Sequence, residues 1–208
     1  MSAVLPKLMC ARREFGGLTA DIVARPWRDL PAVELVVAGS GAAPVQRTSV
    51  RTAHDGQEWR VLFHCEDRDA WATITQRDGD LYNEETVEVF FDPVGDLEGY
   101  FEIEVNPLGA ELDLVFRRSR SGYKGDRAWN CAELRTKVRK GEGFWSTEFA
   151  IPFASVNGAP AGAWRANFCR IDHPSRDGSL PRELSAWSAP MRDNFHTPER
   201  FGVVEFQG

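Results

Sequence analysis

The sequence predicts an all-β fold: one antiparallel β-sandwich, jelly-roll-like, a single domain over residues 1–208 with little helix. Three observations predict it. Segment after segment alternates apolar and polar residues, the side-chain period of a strand with one buried face. Nearly every break between these segments holds Gly, Pro, Asn or Asp, residues suited to turns for their own backbone reasons. And no helical period of 3.6 survives beyond about two turns, so the closely spaced strands lack the long crossover helices of a parallel sheet.

In chain order, residues 1–45 are weakly patterned. RPWRDLPAVEL predicts one short helix or an edge segment, and AGSGAAP a loop. QRTSVRTAHD and QEWRVLFHCED meet at Asp55-Gly56, a strong hairpin signal. In the second of these, Trp59, Val61, Phe63 and Cys65 share one face, and Arg60, Leu62 and His64 the other. TVEVFFDP separates Val87, Val89 and Phe91 from Glu88, Phe90 and Asp92. GYFEIEVNPLG sets Phe101, Ile103 and Val105 against Glu102, Glu104 and Asn106. AELDLVF, AELRTKVRKG, GFWSTEFAIPF, AWRANFCRID and RFGVVEF continue the series, and PFASV predicts a single helical turn.

Composition narrows the function. A net charge of −6 gives none of the basic stripe that nucleic acid needs and argues against an anionic membrane surface. No stretch approaches the roughly 20 apolar residues of a membrane span. MSAVLPKLMCARREFGG lacks the apolar core of a signal peptide, so the expected compartment is the cytoplasm, or the outside of the cell if a signal has been trimmed. Cys10, Cys65, Cys131 and Cys169 fit no metal spacing; Cys65 and Cys169 lie in strand-like runs and read as buried thiols. His54, His64, His173 and His196 are scattered, and G-x-S-x-G, HExxH, P-loop and Rossmann signatures are missing. A protein without catalysis or organic cofactor is expected. Glu88 with Glu104 imitates a glycosidase pair by residue type, which would require a separation of about 5–10 Å and one raised pKa.

LYNEETVEVFFDP, YFEIEVNPLGAELD, WSTEFAIPF, RANFCRID, SAWS and HTPERFGVVEF stand in one order. Together, over residues 46–207, they resemble the family 9 carbohydrate-binding modules and their relatives in the DOMON-like superfamily. The resemblance implies an antiparallel sandwich that holds the end of a sugar chain between two aromatic rings. Tyr82 and Phe195 match the ring positions, which are Trp in the sugar binders. Glu88 matches a ligand carboxylate, and Glu104 and Asn106 match the polar pair on the next strand, where the binders carry a basic residue in place of Glu104. Arg192 stands where they use a polar amide. The implied partner is a carbohydrate or sugar-like small molecule, with a role in carbohydrate breakdown. Some DOMON relatives hold haem instead, for which Met191 and His196 are axial ligands by residue type; some family members carry structural calcium, for which EDRDAW offers Glu66, Asp67 and Asp69, a stretch that reads equally as a solvated turn.

The residues carry a second reading throughout. An outward Glu on a strand belongs equally to a solvated face, and Asn106 equally starts a bend. Arg170, among Trp164, Ala166 and Phe168, is either a snorkelling end-of-strand cation or a ligand contact. Phe195 is either core or platform. Rings facing each other across a cleft favour ligand binding; rings packed inward favour a structural or interaction domain with a degenerate groove.

Overall fold

The computed structural model describes residues 4–156, 158 and 162–208. Fourteen strands form: β1 Lys7–Arg12, β2 Val33–Glu34, β3 Val36–Val37, β4 Thr48–His54, β5 Glu58–Glu66, β6 Thr86–Asp92 and β7 Gly99–Val105. They continue with β8 Glu111–Ser119, β9 Gly122–Asp126, β10 Arg135–Gly141, β11 Phe144–Pro152, β12 Ala163–Asp172, β13 Glu183–Ala186 and β14 Gly202–Phe206. The helical segments among the described residues are single 3₁₀ turns, including Trp27–Asp29, Leu81–Asn83 and Phe153–Ser155.

Two layers pack face to face. One runs β10-β11-β5-β4-β1, and the other β1-β14-β12-β6-β7-β8-β9, with β13 beside β12 and β3 beside β13. Alternation sends Trp59, Val61, Phe63 and Phe149 inward from the first layer to meet Val89, Phe91, Ile103 and Phe168 from the second. Rings interlock there: Trp59 meets Phe91 and Trp164 edge-on, while Phe91 stacks on Trp164 at 11° between planes. The arrangement is the predicted sandwich with one refinement. Every strand pairing is antiparallel except those of β1, which is parallel to β14 through Lys7–Cys10 and to β4 through Ala11–Arg12. A strand that changes sheets midway makes a corner. The weakly patterned start of the chain therefore carries three strands, and its Trp27 and Leu30 cover Ala53 and Leu62 on the outside of the first layer.

The four cysteines are free and buried. Burial pushes the thiols of Cys10, Cys65 and Cys131 up to about 12, which leaves them without thiolate character at neutral pH.

Candidate functional site

The second layer turns its outer face toward the candidate site. Strand alternation places Glu88 and Phe90 of β6, Tyr100, Glu102 and Glu104 of β7, and Cys169 and Ile171 of β12 on that face. Register does the rest. Glu88 is directly opposite Glu104 on one side and Cys169 on the other, and Phe90 is opposite Glu102. Directly opposed side chains lie about 4.5–5.5 Å apart at Cβ, with diagonal pairs close behind, so the three glutamates form one carboxyl cluster. All three are buried: 2% exposed for Glu88, 4% for Glu102 and none for Glu104. Desolvation, reinforced by their mutual repulsion, holds Glu88 and Glu104 well above the usual carboxylate range. Desolvation takes Glu102 up to about 7, moderated by the neighbouring Glu104 carboxyl and by the charge of Arg127. Among the described residues, no hydrogen-bond partner reaches Glu88 Oε1 or Glu102 Oε2.

The loop between β13 and β14 folds over this face. It is pinned by Met191 N–H donating to Ala38 O at 2.8 Å, by His196 N–H to Asn194 Oδ1 at 2.6 Å, and by Thr197 N–H to Phe195 O at 2.7 Å. Phe195 drops onto Phe90, ring centroids 6.1 Å apart, and is 5% exposed. His196 keeps its Nδ1 2.9 Å from the Tyr100 hydroxyl, a hydrogen bond between the two, and burial lowers its pKa, so the ring is neutral at pH 7. From the other side comes Tyr82, on the turn Leu81–Asn83. Its hydroxyl donates to Asp80 Oδ1 at 2.9 Å and accepts from Arg127 Nη2 at 3.0 Å, while the Arg127 guanidinium lies 5.8 Å from the ring. Between these parts lies a cavity of about 190 Å³, walled by Tyr82 and Phe195, with Glu88, Glu102, Arg182 and His196 among its polar lining. A neighbouring cleft of about 400 Å³ shares Arg182, Leu184 and Asp193 with it.

The profile of the family described as "Carbohydrate family 9 binding domain-like" matches residues 22–208. The chain belongs to that family. Among solved structures, a candidate carbohydrate-binding protein from Bacteroides uniformis matches with a TM-score of 0.75 at 18% identity, covering 96% of this chain and 99% of that one. A family 9 carbohydrate-binding module from Caldicellulosiruptor kristjanssonii, in complex with glucose, matches at 0.69 and 14% identity over 98% of this chain and 96% of that one. The cellotriose complex of a family 9 module from the same organism matches at 0.71 and 14%, over 98% and 94%. At these identities the likeness is one of fold. A search of curated proteins finds no significant match. The family 9 match begins at residue 22, so it takes in part of the N-terminal segment that the sequence motifs left out.

Against this family 9 framework, the predicted site residues divide. Tyr82, Glu88 and Phe195 line the cavity together. Glu104 lies directly beside Glu88 in the next strand and is fully buried. Phe195 is not the solvent-facing platform that a polar loop suggests: the loop doubles back and presses the ring into the Phe90–Phe201 cluster. The two aromatic walls therefore differ, with Tyr82 38% exposed and Phe195 nearly covered. Asn106 lies outside the cavity lining and builds a turn, its Oδ1 accepting from Leu108 and Ala110 N–H at 3.0 Å and its Nδ2 donating to Ile74 O. Arg170 points the opposite way, between the layers. There Nη2 holds Asp67 at 2.8 Å and Asp172 at 2.9 Å, and Nη1 donates to Thr48 Oγ1 and Glu66 O. Arg192 is exposed and outside the cavity lining. Met191 is 56% exposed and outside it too, so it does not converge with His196.

Sequence reasoning passed over Glu102, Arg182 and Asp193 as site residues. Glu102 carried the signal, since it shares the alternation face of Glu104. Arg182 and Asp193 sit in irregular segments where no period speaks. The calcium residues also rearrange. Asp69 pairs with Arg176 at the surface and Glu66 is exposed, while Asp67, Glu85 and Asp172 gather with ligand oxygens within 4.8 Å of one another. That set resembles a hard-cation site by donor type. Its charge is already met by Arg170, and Gln46 Nε2 occupies both oxygens of Asp172 at 3.1 Å. Glu85, pushed up to about 9 by burial and by Asp67, is neutral at pH 7. The cluster fits a guanidinium-centred network and does not call for a metal.

Proposed function

We propose that this chain is a non-catalytic saccharide-binding module of the DOMON-like type, serving carbohydrate breakdown and taking the end of a sugar chain into the cavity between Tyr82 and Phe195. The observation that carries the reading is the cavity itself: two aromatic walls and a buried carboxylate floor in a family 9 sandwich. A pyranose has an apolar C–H face, which suits an aromatic ring, and an equatorial rim of hydroxyls, which suits carboxylates. About 190 Å³ is less than the roughly 300–1,000 Å³ of drug-sized sites, which favours one ring inside with the rest of the chain in the adjoining cleft. Support also comes from the Caldicellulosiruptor modules, whose complexes hold glucose and cellotriose. Glu88 and Glu104 make a poor catalytic pair, because both are buried side by side and hold their protons. No organic cofactor enters the reading.

Calorimetric titration with glucose, cellobiose, cellotriose and xylotriose tests it, with Tyr82→Ala alongside. Binding of at least one saccharide is expected, weakened by roughly 1–3 kcal/mol in the variant, the range for truncating an anchor at a binding site. A glycan array with no hit would overturn the proposal and favour the interaction domain.

A further inference from the structure

We infer that the saccharide selected by this cavity is cationic: an unsubstituted amino sugar, whose ammonium lies over Glu88 and Glu102 with Glu104 beside them. The inference rests on the saccharide-binding reading and narrows it to one class of ligand.

The charges on the walls point this way. Glu88, Glu102 and Asp193 line the cavity, and Glu104 stands directly opposite Glu88 on the neighbouring strand. Against these carboxyls the basic lining consists of Arg182 and His196. His196 is neutral and occupied by Tyr100. Arg127, whose field reaches Glu102 and Glu104, is already committed to Asp80 at 2.6 Å. Arg182 donates only to the Tyr82 backbone oxygen, at 3.5 Å. Among the described residues, the cluster therefore faces the Arg182 guanidinium at its rim, whose charge acts on Glu88, and no cation at its floor.

Unmet acceptors give a second, independent sign. Glu88 is 2% exposed and Glu102 4% exposed; both line the cavity, and Glu88 Oε1 and Glu102 Oε2 have no hydrogen-bond partner. Leaving a buried polar atom unmet costs about 1–3 kcal/mol, so such oxygens signal a missing partner, which is a donor once the carboxyl ionises. A metal ion is the wrong donor. It needs oxygens closing on one point, and among the described residues the carboxylates that do so are Asp67, Glu85 and Asp172 instead. An ammonium carries three N–H donors spread tetrahedrally, and the hydroxyls beside it on a sugar ring extend the reach to separated acceptors.

Binding would then move a proton. Without ligand, Glu88 and Glu104 hold their protons through burial and repulsion. The groups facing them are Tyr100 and Glu102 on β7, Cys169 on β12, and Arg182, Asp193 and His196 from the β13 side. Of these, Tyr100 and Cys169 stay neutral because burial raises both. An arriving ammonium favours the carboxylate form, so one acid ionises and its proton leaves for the buffer.

Titration of the whole protein with glucosamine, N-acetylglucosamine, glucose and cyclohexylamine, in two buffers of different ionisation heat, tests this. Glucosamine should bind at least about tenfold tighter than glucose or N-acetylglucosamine and release protons. Glu88→Gln and Glu104→Gln should each bring the glucosamine-to-glucose ratio toward one. If glucose binds as tightly as glucosamine, cation selection falls and saccharide binding stands. If cyclohexylamine matches glucosamine, the cation preference stands and the saccharide reading falls. If no probe binds, both fall. Should the variants fail to fold, glucosamine binding without proton release by the unaltered protein still overturns the inference.

Discussion

Phe195 carries two duties on one ring. One edge faces the cavity, while the rest packs on Phe90 and Phe201. Phe195→Ala should thus lower folding stability by about 3–5 kcal/mol, as buried phenylalanines do, and weaken saccharide binding as well. Urea melts with a parallel titration would show both, and a variant of unchanged stability would contradict the buried placement. The sequence left core and platform open because alternation says nothing about a loop's path. Glu88, Glu102 and Glu104 have a different consequence. Their folded pKa values are raised, so folding takes up protons, and the stability they contribute is full below about 4.5 and lost as pH rises through the folded values. His64, His173 and His196 are lowered by burial and act below their usual 6.5, while Glu85, raised to about 9, adds to the carboxyl effect above it. The melting temperature should fall as pH rises through about 7, where Glu102 ionises, and Glu102→Gln should flatten that slope. A melting temperature that rises there would contradict the raised values.

Strand β12 shows how one element serves both layers. Its Cys169 and Ile171 face the site, while Arg170 reaches across to Thr48 of β4 and to the backbone of Glu66 in β5. Arg170→Met should cost about 3–5 kcal/mol, because Asp67 and Asp172 would be left as buried charges without their partner. Thermal melts report it, and Asp67→Asn in the same background should recover part of the loss. The pattern of Trp164, Ala166 and Phe168 correctly put Arg170 among apolar neighbours, but sequence does not say that the acids meeting it come from distant segments. Strand β1 was illegible for another reason. Only Leu8 and Cys10 alternate inward, too few to separate a period of two from chance. By contrast β5, β6 and β7 were readable residue by residue, because each buries apolar side chains on one face along its length. Edge strand β10 shows why RTKVRKG is so basic: Lys and Arg along an open edge discourage pairing with another chain.

At the scale of the whole molecule, the network around Arg170 already gives Asp67 and Asp172 a cation. Calcium or a chelator should leave the melting temperature unchanged; a rise with calcium, following ligand linkage, would show that Asp67, Glu85 and Asp172 share their charge with a metal. The sandwich itself was legible because its alternation is long-range and redundant, whereas the cavity depends on where loops cross. The sheet-switching strand β1 also has a bearing on time. Lys7 pairs with Val203 and Cys10 with Phe206, so β1 cannot complete its pairing until β14, far along the chain, is in place. Closing so long a loop is entropically slow, which makes the docking of β1 a late event in folding. Leu8→Ala should accordingly speed unfolding while leaving the refolding rate nearly unchanged, a split that stopped-flow chevrons resolve. Until that late event, the facing edges of β4 and β14 stand open, and an open strand edge is a template for another chain.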